Sequence, residues 1–252
     1  MAERVQVLGV GVDPMTFEGA LSQIESFVEE GRTHQVVTVN PEFVMRAQWD
    51  EPFRQVLNSA DLALADGIGL VWATRLLGPR RPQGATLRER VAGSDLVPAI
   101  ARRAAEMGWR LYFLGAAPEV AERAAHILKE RYPGLQVAGT YAGSPAPEME
   151  EAIVERIHAA HPDILFVAYG APAQDLWITR NLNRLGVPVA MGVGGAFDFI
   201  AGRTRRAPRW VRRLGLEWLH RLSHEPWRWR RMLALPKFAW LVVVSLFRRD
   251  RK

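Results

Sequence analysis

The segment Ile164-Leu-Phe-Val-Ala168 leads directly into Tyr169-Gly-Ala-Pro-Ala-Gln-Asp175, so an unbroken apolar run ends at a turn before a predicted helix. Five consecutive apolar residues predict a strand that is buried on both faces, which is typical of a parallel sheet covered by helices. Ligands of such sheets bind beyond the carboxyl ends of the strands. The polar residues that follow this strand are therefore candidates for a binding site.

Short β-rich runs alternate with amphipathic helical patterns along most of the chain. We predict strands at Val5–Val10, Gln35–Val39, Leu62–Ala65, Arg110–Leu114, Gln136–Tyr141, Ile164–Ala168 and Val187–Val193. We predict helices at Thr16–Glu30, Leu96–Gly108, Pro118–Tyr132, Pro147–Ala160 and Ala173–Leu185. This alternation predicts an α/β fold with a Rossmann-like, mostly parallel sheet and flanking helices.

The charge of the chain changes sign near Gly202, where the strand pattern also stops. Residues 203–252 hold 15 Lys and Arg against 3 Asp and Glu, whereas residues 1–202 hold 18 basic and 24 acidic residues. Five of the nine tryptophans also lie in residues 203–252. We therefore predict an α/β core over residues 1–202 and a basic, Trp-rich helical appendage over residues 203–252.

The appendage contains an apolar run, Phe238–Phe247, with basic residues on both sides. These 10 residues are too few for a helix that crosses a bilayer, which needs about 20. A short apolar segment among cations is typical of the membrane interface. The first ten residues show no signal-peptide pattern, and the chain has no cysteine. We expect a cytoplasmic protein that is peripheral on the inner face of the cell membrane.

Asp66 follows the predicted strand Leu62–Ala65 and precedes Gly67, so it lies at a strand end beside a residue that leaves room for a ligand. A carboxylate in this position could act as a general base. From position alone, a helix N-cap or a turn residue is the more common role, because Asp-Gly is a frequent turn pair.

Further candidates follow the neighbouring predicted strands. Thr38 and Asn40 could bind a sugar or only fix a loop, and Gln174 opens a helix that it could cap. Gly194 and Gly195 would let backbone N–H groups approach a phosphate, although a turn alone also explains them. The chain lacks the glycine fingerprint of a dinucleotide site, which argues against a nicotinamide-dependent enzyme.

Three arginines of the appendage, Arg221, Arg228 and Arg231, are spaced seven and three residues apart, which predicts that they lie near one helical face. Guanidinium groups suit a diphosphate because each can donate two hydrogen bonds to it. A solvated basic face or a lipid-headgroup patch explains the same spacing. The chain contains no D-x-D sequence, so we predict neither a metal site nor a cofactor, and arginines would stabilise a departing diphosphate.

Taken together, nine segments resemble the WecG/TagA/CpsF glycosyltransferases (glycosyltransferase family 26), in the order of that family. The segments are Val37-Thr-Val-Asn-Pro-Glu42, Ala65-Asp-Gly-Ile-Gly-Leu-Val-Trp72, Glu89-Arg-Val-Ala-Gly-Ser-Asp-Leu96, Phe113-Leu-Gly115, Gly170-Ala-Pro-Ala-Gln174, Gly192-Val-Gly-Gly-Ala-Phe-Asp198, Arg206-Ala-Pro208, Gly215-Leu-Glu-Trp-Leu-His-Arg-Leu222 and Glu225-Pro226. Each is short, but as a set they are specific.

The resemblance implies an inverting transfer of an N-acetylmannosamine-type sugar from a UDP donor to a polyprenyl-diphosphate-linked N-acetylglucosamine. By motif, Asp66 becomes the base that deprotonates the acceptor, which reverses the preference drawn from position alone. Thr38 and Asn40 would line the sugar pocket, Arg90 would approach the phosphates, and Gln174 would contact the substrate.

For the appendage, the resemblance implies that it closes the active site and associates with an anionic membrane surface. Arg221, Arg228 and Arg231 would then close over the donor diphosphate. The product would belong to a cell-surface polysaccharide or to a teichoic acid linkage unit.

Two features depart from the family pattern. Ala173 and Asp175 stand where family members often carry Lys and Glu, which would retune the contacts around Gln174. The insert Pro79–Leu87 lengthens the loop before Arg90, which puts the placement of Arg90 in doubt.

Other functions remain open from sequence. The same fold could use UDP-glucose or UDP-N-acetylmannosaminuronic acid, and a uronic acid would want an additional cation. A non-catalytic protein that binds nucleic acid or anionic lipid through the basic tail is the alternative from another class. Interleaved Arg and Trp with a terminal apolar run suit a membrane better, so we predict no nucleic-acid partner. The sequence is compatible with a monomer and with a homo-oligomer.

Overall fold

The computed structural model describes residues 3–77, 86–213 and 215–248. Its strands are β1 (Val5–Val7), β2 (Val10–Val12), β3 (His34–Val39), β4 (Leu62–Ala65), β5 (Arg110–Gly115), β6 (Gln136–Tyr141), β7 (Ile164–Ala168) and β8 (Val189–Gly192). Strands β3 to β8 form one sheet in the order β4-β3-β8-β7-β5-β6, and every neighbouring pair in it is parallel. The predicted α/β fold with a parallel sheet is therefore confirmed.

Helices cover both faces of this sheet. The core helices are α1 (Phe17–Glu30), α2 (Pro41–Arg46), α3 (Glu51–Ser59), α4 (Ile68–Leu77), α5 (Gly93–Met107), α6 (Val120–Arg131), α7 (Glu150–Ala160), α8 (Ala173–Leu185) and α9 (Ala196–Ile200). Alternate strand residues point to opposite faces: Phe166 packs with α1, α5 and α6, whereas Leu165 and Val167 pack with α7 and α8. Burial on both faces explains the unbroken apolar strands.

The prediction of one strand over Val5–Val10 was wrong. The chain reverses at Leu8 and Gly9, which both have positive φ angles (49° and 84°), and β1 and β2 pair antiparallel. The apolar run hid this turn because Val5, Val7, Val10 and Val12 are all buried against the same core.

Helices α2, α3 and α4 lie where the sequence analysis assigned no helix. Asn40 caps α2, since its Oδ1 accepts from the N–H of Phe43, and Asp50 caps α3 through the N–H of Phe53. Each cap is followed closely by a proline in the first turn, which is the usual start signal of a helix. Most of the insert Pro79–Leu87 lies outside the described residues.

After Ala201 the described chain forms turns and helices, and no strand occurs in its described residues. It forms α10 (Arg209–Arg213), α11 (Glu217–His224), a 3₁₀ turn at Pro226–Arg228, α12 (Trp229–Met232) and α13 (Ala234–Arg248). Helix α13 contains the apolar run and packs on α2 and α4, where Phe238, Val242 and Leu246 are buried. One face of this segment is thus part of the core. None of the described helices is long and apolar enough to cross a membrane.

Asp175 lies fully buried in the first turn of α8. Burial raises the pKa of its carboxyl from the ordinary value of 3.8 to about 7. The folded chain therefore keeps a proton there that the unfolded chain releases above about pH 4. This carboxyl should destabilise the fold progressively between about pH 4 and pH 7.

We expect the Asp175→Asn variant to remove this dependence, because an amide keeps the shape without the titration. Urea unfolding of the wild type should give a free energy of unfolding that falls over this range, and the variant should give a flatter profile. Asp50→Asn is the control, since asparagine also caps a helix well. An Asp175→Asn profile as steep as that of the wild type would contradict the prediction.

Candidate active site

A cavity of about 860 Å³ opens at the carboxyl ends of four adjacent strands, β4, β3, β8 and β7. The segments that follow these strands form its floor. Helices α11, α12 and α13 of the appendage, with the 3₁₀ turn before α12, contribute a wall with Arg221, Arg228, Arg231 and Phe238. The sheet and the appendage therefore enclose one site together, at the edge where open α/β sheets bind ligands.

Asp66 is fixed at this edge by the end of β4. Its backbone N–H donates to the carbonyl of Val39 at 2.7 Å, which continues the pairing of β4 with β3. A Cβ atom on Gly67 would lie 3.0 Å from Cδ of Pro41, so glycine permits the close approach of α2. The glycine that follows Asp66 serves chain packing here, rather than only making room for a ligand.

The carboxylate of Asp66 faces Arg90 and the backbone N–H of Gly93. Nε of Arg90 lies 3.5 Å from Oδ1 of Asp66. No hydrogen bond joins the Asp66 carboxylate to the first turn of α4 in the described part of the chain. Asp66 therefore does not cap the helix that follows it, but its carboxylate meets the N–H of Gly93 at the start of α5.

The pKa of Asp66 is raised, chiefly because its partly buried carboxylate is desolvated. Arg90 and the N–H of Gly93 lower it, and the negative charge of Glu217 raises it further. A carboxylate with a raised pKa is a better proton acceptor, as general-base catalysis requires.

Thr38 and Asn40 lie at the end of β3 and line the same cavity. The hydroxyl of Thr38 lies 3.5 Å from the carbonyl oxygen of Gly192, and Oδ1 of Asn40 is used by the α2 cap. Both residues thus fix loops at the floor of the cavity. They also line the cavity, so a contact with a sugar stays a prediction.

Gln174 joins two loops of the cavity floor. Its Oε1 accepts from the backbone N–H of Gly170 at 3.1 Å and of Gly194 at 3.0 Å. The side chain is almost fully buried. This placement gives Gln174 a positioning role beneath the loops, and it does not cap α8.

Gly195 allows the appendage to approach the sheet. A Cβ atom on this residue would lie 3.0 Å from Nη2 of Arg221. Gly194 has a positive φ angle of 51°, which suits a turn. The Gly194-Gly195 pair therefore combines a turn with a close contact to a guanidinium group.

Arg221, Arg228 and Arg231 converge on the cavity without sharing a helix. Arg221 lies on α11, Arg228 on the 3₁₀ turn and Arg231 on α12. The prediction of one helical face was wrong because the helix ends at His224 and Pro226 starts a new turn.

Each of the three arginines has a carboxylate partner. Glu225 pairs with both Arg221 and Arg228, and Glu42 pairs with Arg231 at 2.9 Å. The pKa of Arg228 is lowered, first by burial and then by the charge of Arg221. Guanidinium groups crowded in this way form a site that favours additional negative charge.

Glu217 is the main residue of the site that the sequence analysis did not single out. It accepts from Nη2 of Arg90 at 2.7 Å and lies 3.6 Å from Nε of Arg206. Arg206 and Arg212 also pair with Asp95 on α5, at 2.7 and 3.2 Å. Glu217 and Arg206 lie within two of the quoted segments, but only the fold shows that they meet.

We call these contacts between Asp66, Arg90, Glu217, Arg206, Asp95 and Arg212 the ion-pair network. The network joins the end of β4 and the start of α5 to α10, α11 and the segment that precedes them. It places Arg90 between the carboxylates of Asp66 and Glu217, whereas the three arginines pair with Glu225 and Glu42. Contact of Arg90 with a phosphate stays a prediction.

No group of three His, Cys, Asp or Glu side chains with metal-site geometry is found in the described ranges. Metal independence stays a prediction.

The model of the Glycosyl transferase WecG/TagA/CpsF family matches residues 5–252. A Bacillus spizizenii (strain ATCC 23059 / NRRL B-14472 / W23) protein named N-acetylglucosaminyldiphosphoundecaprenol N-acetyl-beta-D-mannosaminyltransferase is 36% identical, over 88% of this chain and 84% of its own length. Proteins of the same name from Bacillus subtilis (strain 168) and Staphylococcus aureus (strain MRSA252) are 34% and 32% identical. They match 88% and 95% of this chain, and 87% and 92% of their own lengths. The chain therefore belongs to the WecG/TagA/CpsF family of glycosyltransferases, as its sequence segments indicated.

Proposed function

We propose that this protein transfers N-acetylmannosamine from a UDP donor to N-acetylglucosamine on a polyprenyl diphosphate, with inversion at the anomeric carbon. The observation that carries the proposal is the shared cavity, which has Asp66 on its floor and three arginines on its appendage wall. The named activity of the relatives supports the sugar and the acceptor. The product would enter cell-surface polysaccharide or teichoic acid linkage-unit synthesis.

The reaction is a single displacement. Asp66 accepts the proton of the acceptor hydroxyl while that oxygen attacks the anomeric carbon of the donor. The new C–O bond forms as the bond to the UDP oxygen breaks on the opposite face, and the electron pair leaves with UDP. The raised pKa of Asp66 supports its role as the base.

The three arginines would bind the donor diphosphate. Their present partners, Glu225 and Glu42, already hold the guanidinium groups in place, so little side-chain ordering is left for the donor to impose. A diphosphate offers more acceptor oxygens than these carboxylates and can bind several guanidiniums at once. Gly195 lies next to Arg221, where its backbone N–H could add a donor, whereas the N–H of Gly194 already donates to Gln174.

The part of the cavity lining that α4 and α13 contribute is largely apolar and suits the lipid of the acceptor. Trp72 and Leu76 on α4 and Val243 on α13 line the cavity with much of their surface exposed. Exposed hydrophobic side chains beside a polar site are typical of lipid or protein contacts. A polyprenyl chain could lie along this part of the lining while its sugar reaches Asp66.

Membrane association of the appendage is part of the same proposal. Trp210, Trp227 and Trp240 are each more than 60% exposed, and several arginines lie between them in the chain. Tryptophan and arginine together bind the interface of an anionic bilayer. The inner face of the cell membrane is where a lipid-linked acceptor would meet a UDP-sugar.

The first experiment measures release of UDP from a panel of UDP-sugars, with a lipid-diphosphate-linked N-acetylglucosamine and EDTA present. We expect acceptor-dependent release from UDP-N-acetylmannosamine. The Asp66→Asn variant should lose roughly 10²–10⁴-fold in kcat, the usual value of a general base. Asp198→Asn is the matched control, because Asp198 is another carboxylate of the same cavity. Release from a different donor alone would change the substrate, and unchanged turnover of Asp66→Asn would remove Asp66 from its role.

Replacing Arg228 by Ala should weaken UDP binding by roughly tenfold to a hundredfold, because a charge-assisted hydrogen bond contributes about 1.5–3 kcal/mol. Isothermal titration with UDP measures this directly, without turnover. Arg203→Ala removes an exposed arginine of the same segment that does not line the cavity, and it should bind UDP as the wild type does. Equal loss in both variants would indicate a general effect of charge.

The double variant Trp227→Ser with Trp229→Ser should bind less to vesicles that contain phosphatidylglycerol, because both indoles are exposed. Co-sedimentation at equal lipid concentration measures the bound fraction. Binding of the wild type should also fall with added salt, as expected for arginine on an anionic surface. Undiminished binding of the variant would place the membrane contact elsewhere.

A further inference from the structure

Arg90 lies between two carboxylates that belong to different parts of the chain. Asp66 follows β4 of the core, whereas Glu217 begins α11 of the appendage. Arg90 donates from Nη2 to Oε2 of Glu217 at 2.7 Å, and its Nε lies 3.5 Å from Oδ1 of Asp66. The side chains of all three are at most about a quarter exposed.

Arg90 makes a closer contact with Glu217 than with Asp66. The contact with Glu217 is a hydrogen bond of good length, whereas Nε of Arg90 is buried and has no hydrogen-bond partner. A guanidinium can bind one carboxylate through two parallel hydrogen bonds. Arg90 does not bind Asp66 in that way here, because its Nη2 donates to Glu217 and its Nε lies 3.5 Å from Asp66 without a hydrogen bond.

The other charged groups around Asp66 are paired among themselves. Arg206 lies between Glu217 and Asp95, and Arg212 also pairs with Asp95. Across the cavity, Glu42 on α2 is paired with Arg231. Among the described residues, Arg90 and Glu217 are the charges that influence the pKa of Asp66 most, together with the backbone N–H of Gly93.

We propose that Glu217 is a positioning residue that couples docking of the appendage to the basicity of Asp66. With α11 docked, Glu217 draws Arg90 toward itself and leaves Asp66 able to accept a proton. With α11 displaced, Arg90 is free to bind Asp66 and holds it as a weak base. The coupling rests on the proposed role of Asp66, and it restricts proton transfer to the closed site, where water is excluded.

The sign of the effect follows from the charges. Glu217 raises the pKa of Asp66 and Arg90 lowers it. Neutralising Glu217 removes a negative charge that raises the pKa of Asp66. It also frees Arg90 to approach Asp66, which lowers this pKa further. The acid limb of the pH profile of kcat/KM, which reports ionisation of the base in the free enzyme, should move to lower pH.

The test compares Glu217→Gln with Asp95→Asn in the full-length protein. Both substitutions break ion pairs between core and appendage, but Asp95 acts on Arg90 and is not among the main influences on the pKa of Asp66. Glu217→Gln should shift the acid limb to lower pH and reduce the plateau by less than Asp66→Asn does. Asp95→Asn should leave the limb in place. Glu217→Asp, which keeps the charge, should return the limb toward the wild-type position.

A direct titration separates this inference from the proposed function. The carboxyl ¹³C signal of Asp66 in protein labelled at aspartate reports its pKa without any turnover, and it should titrate at lower pH in Glu217→Gln. An unshifted signal, or an equal shift in Asp95→Asn, overturns the coupling. A shifted signal in a protein whose activity does not depend on Asp66 overturns the proposed base and leaves the electrostatic coupling intact.

Discussion

Burial of the central strands on both faces is the constraint on which the rest of this structure depends. Most side chains of β3, β4, β7 and β8 are committed to the two packed layers, and only those at the carboxyl ends of the strands, such as Thr38 and Ala168, line the cavity. Polar chemistry is therefore confined to the strand ends and to the residues that follow them. Asp66, Asn40 and the Gly194-Gly195 pair all lie at that edge, and they meet because the strands are adjacent and parallel.

The sheet could be predicted because its strands are apolar without interruption and bounded by turn residues. The hairpin at Leu8-Gly9 could not, since valines on both sides give one apolar run and a two-residue turn leaves no gap in it. The short helices α2 and α4 were missed for a related reason. Much of their surface is buried, so the alternation of polar and apolar residues that marks a helix is weak.

Candidate residues at strand ends could be found from sequence, but their partners could not. Asp66 and Gln174 were identified by position and motif, whereas the use of Gln174 as a brace between Gly170 and Gly194 depends on two loops that are distant in the chain. Glu217 and Arg90 are 127 residues apart, so no spacing rule links them. The three arginines of the appendage do line one cavity, as their grouping predicted. They do not lie on one helix, because Pro226 starts a new turn between them.

The appendage is attached to the core by two kinds of contact that differ in their response to solvent. The packing of α13 on α2 and α4 is apolar, and excluded salts such as sulfate strengthen it. The contacts of Arg206 and Arg212 with Asp95 are ionic and partly exposed, so dissolved salt weakens them. Rising ionic strength is therefore expected to loosen α10 and α11 while α13 stays anchored. In concentrated salt we therefore expect the appendage to stay attached through α13 while the part that carries Glu217 moves away from the core.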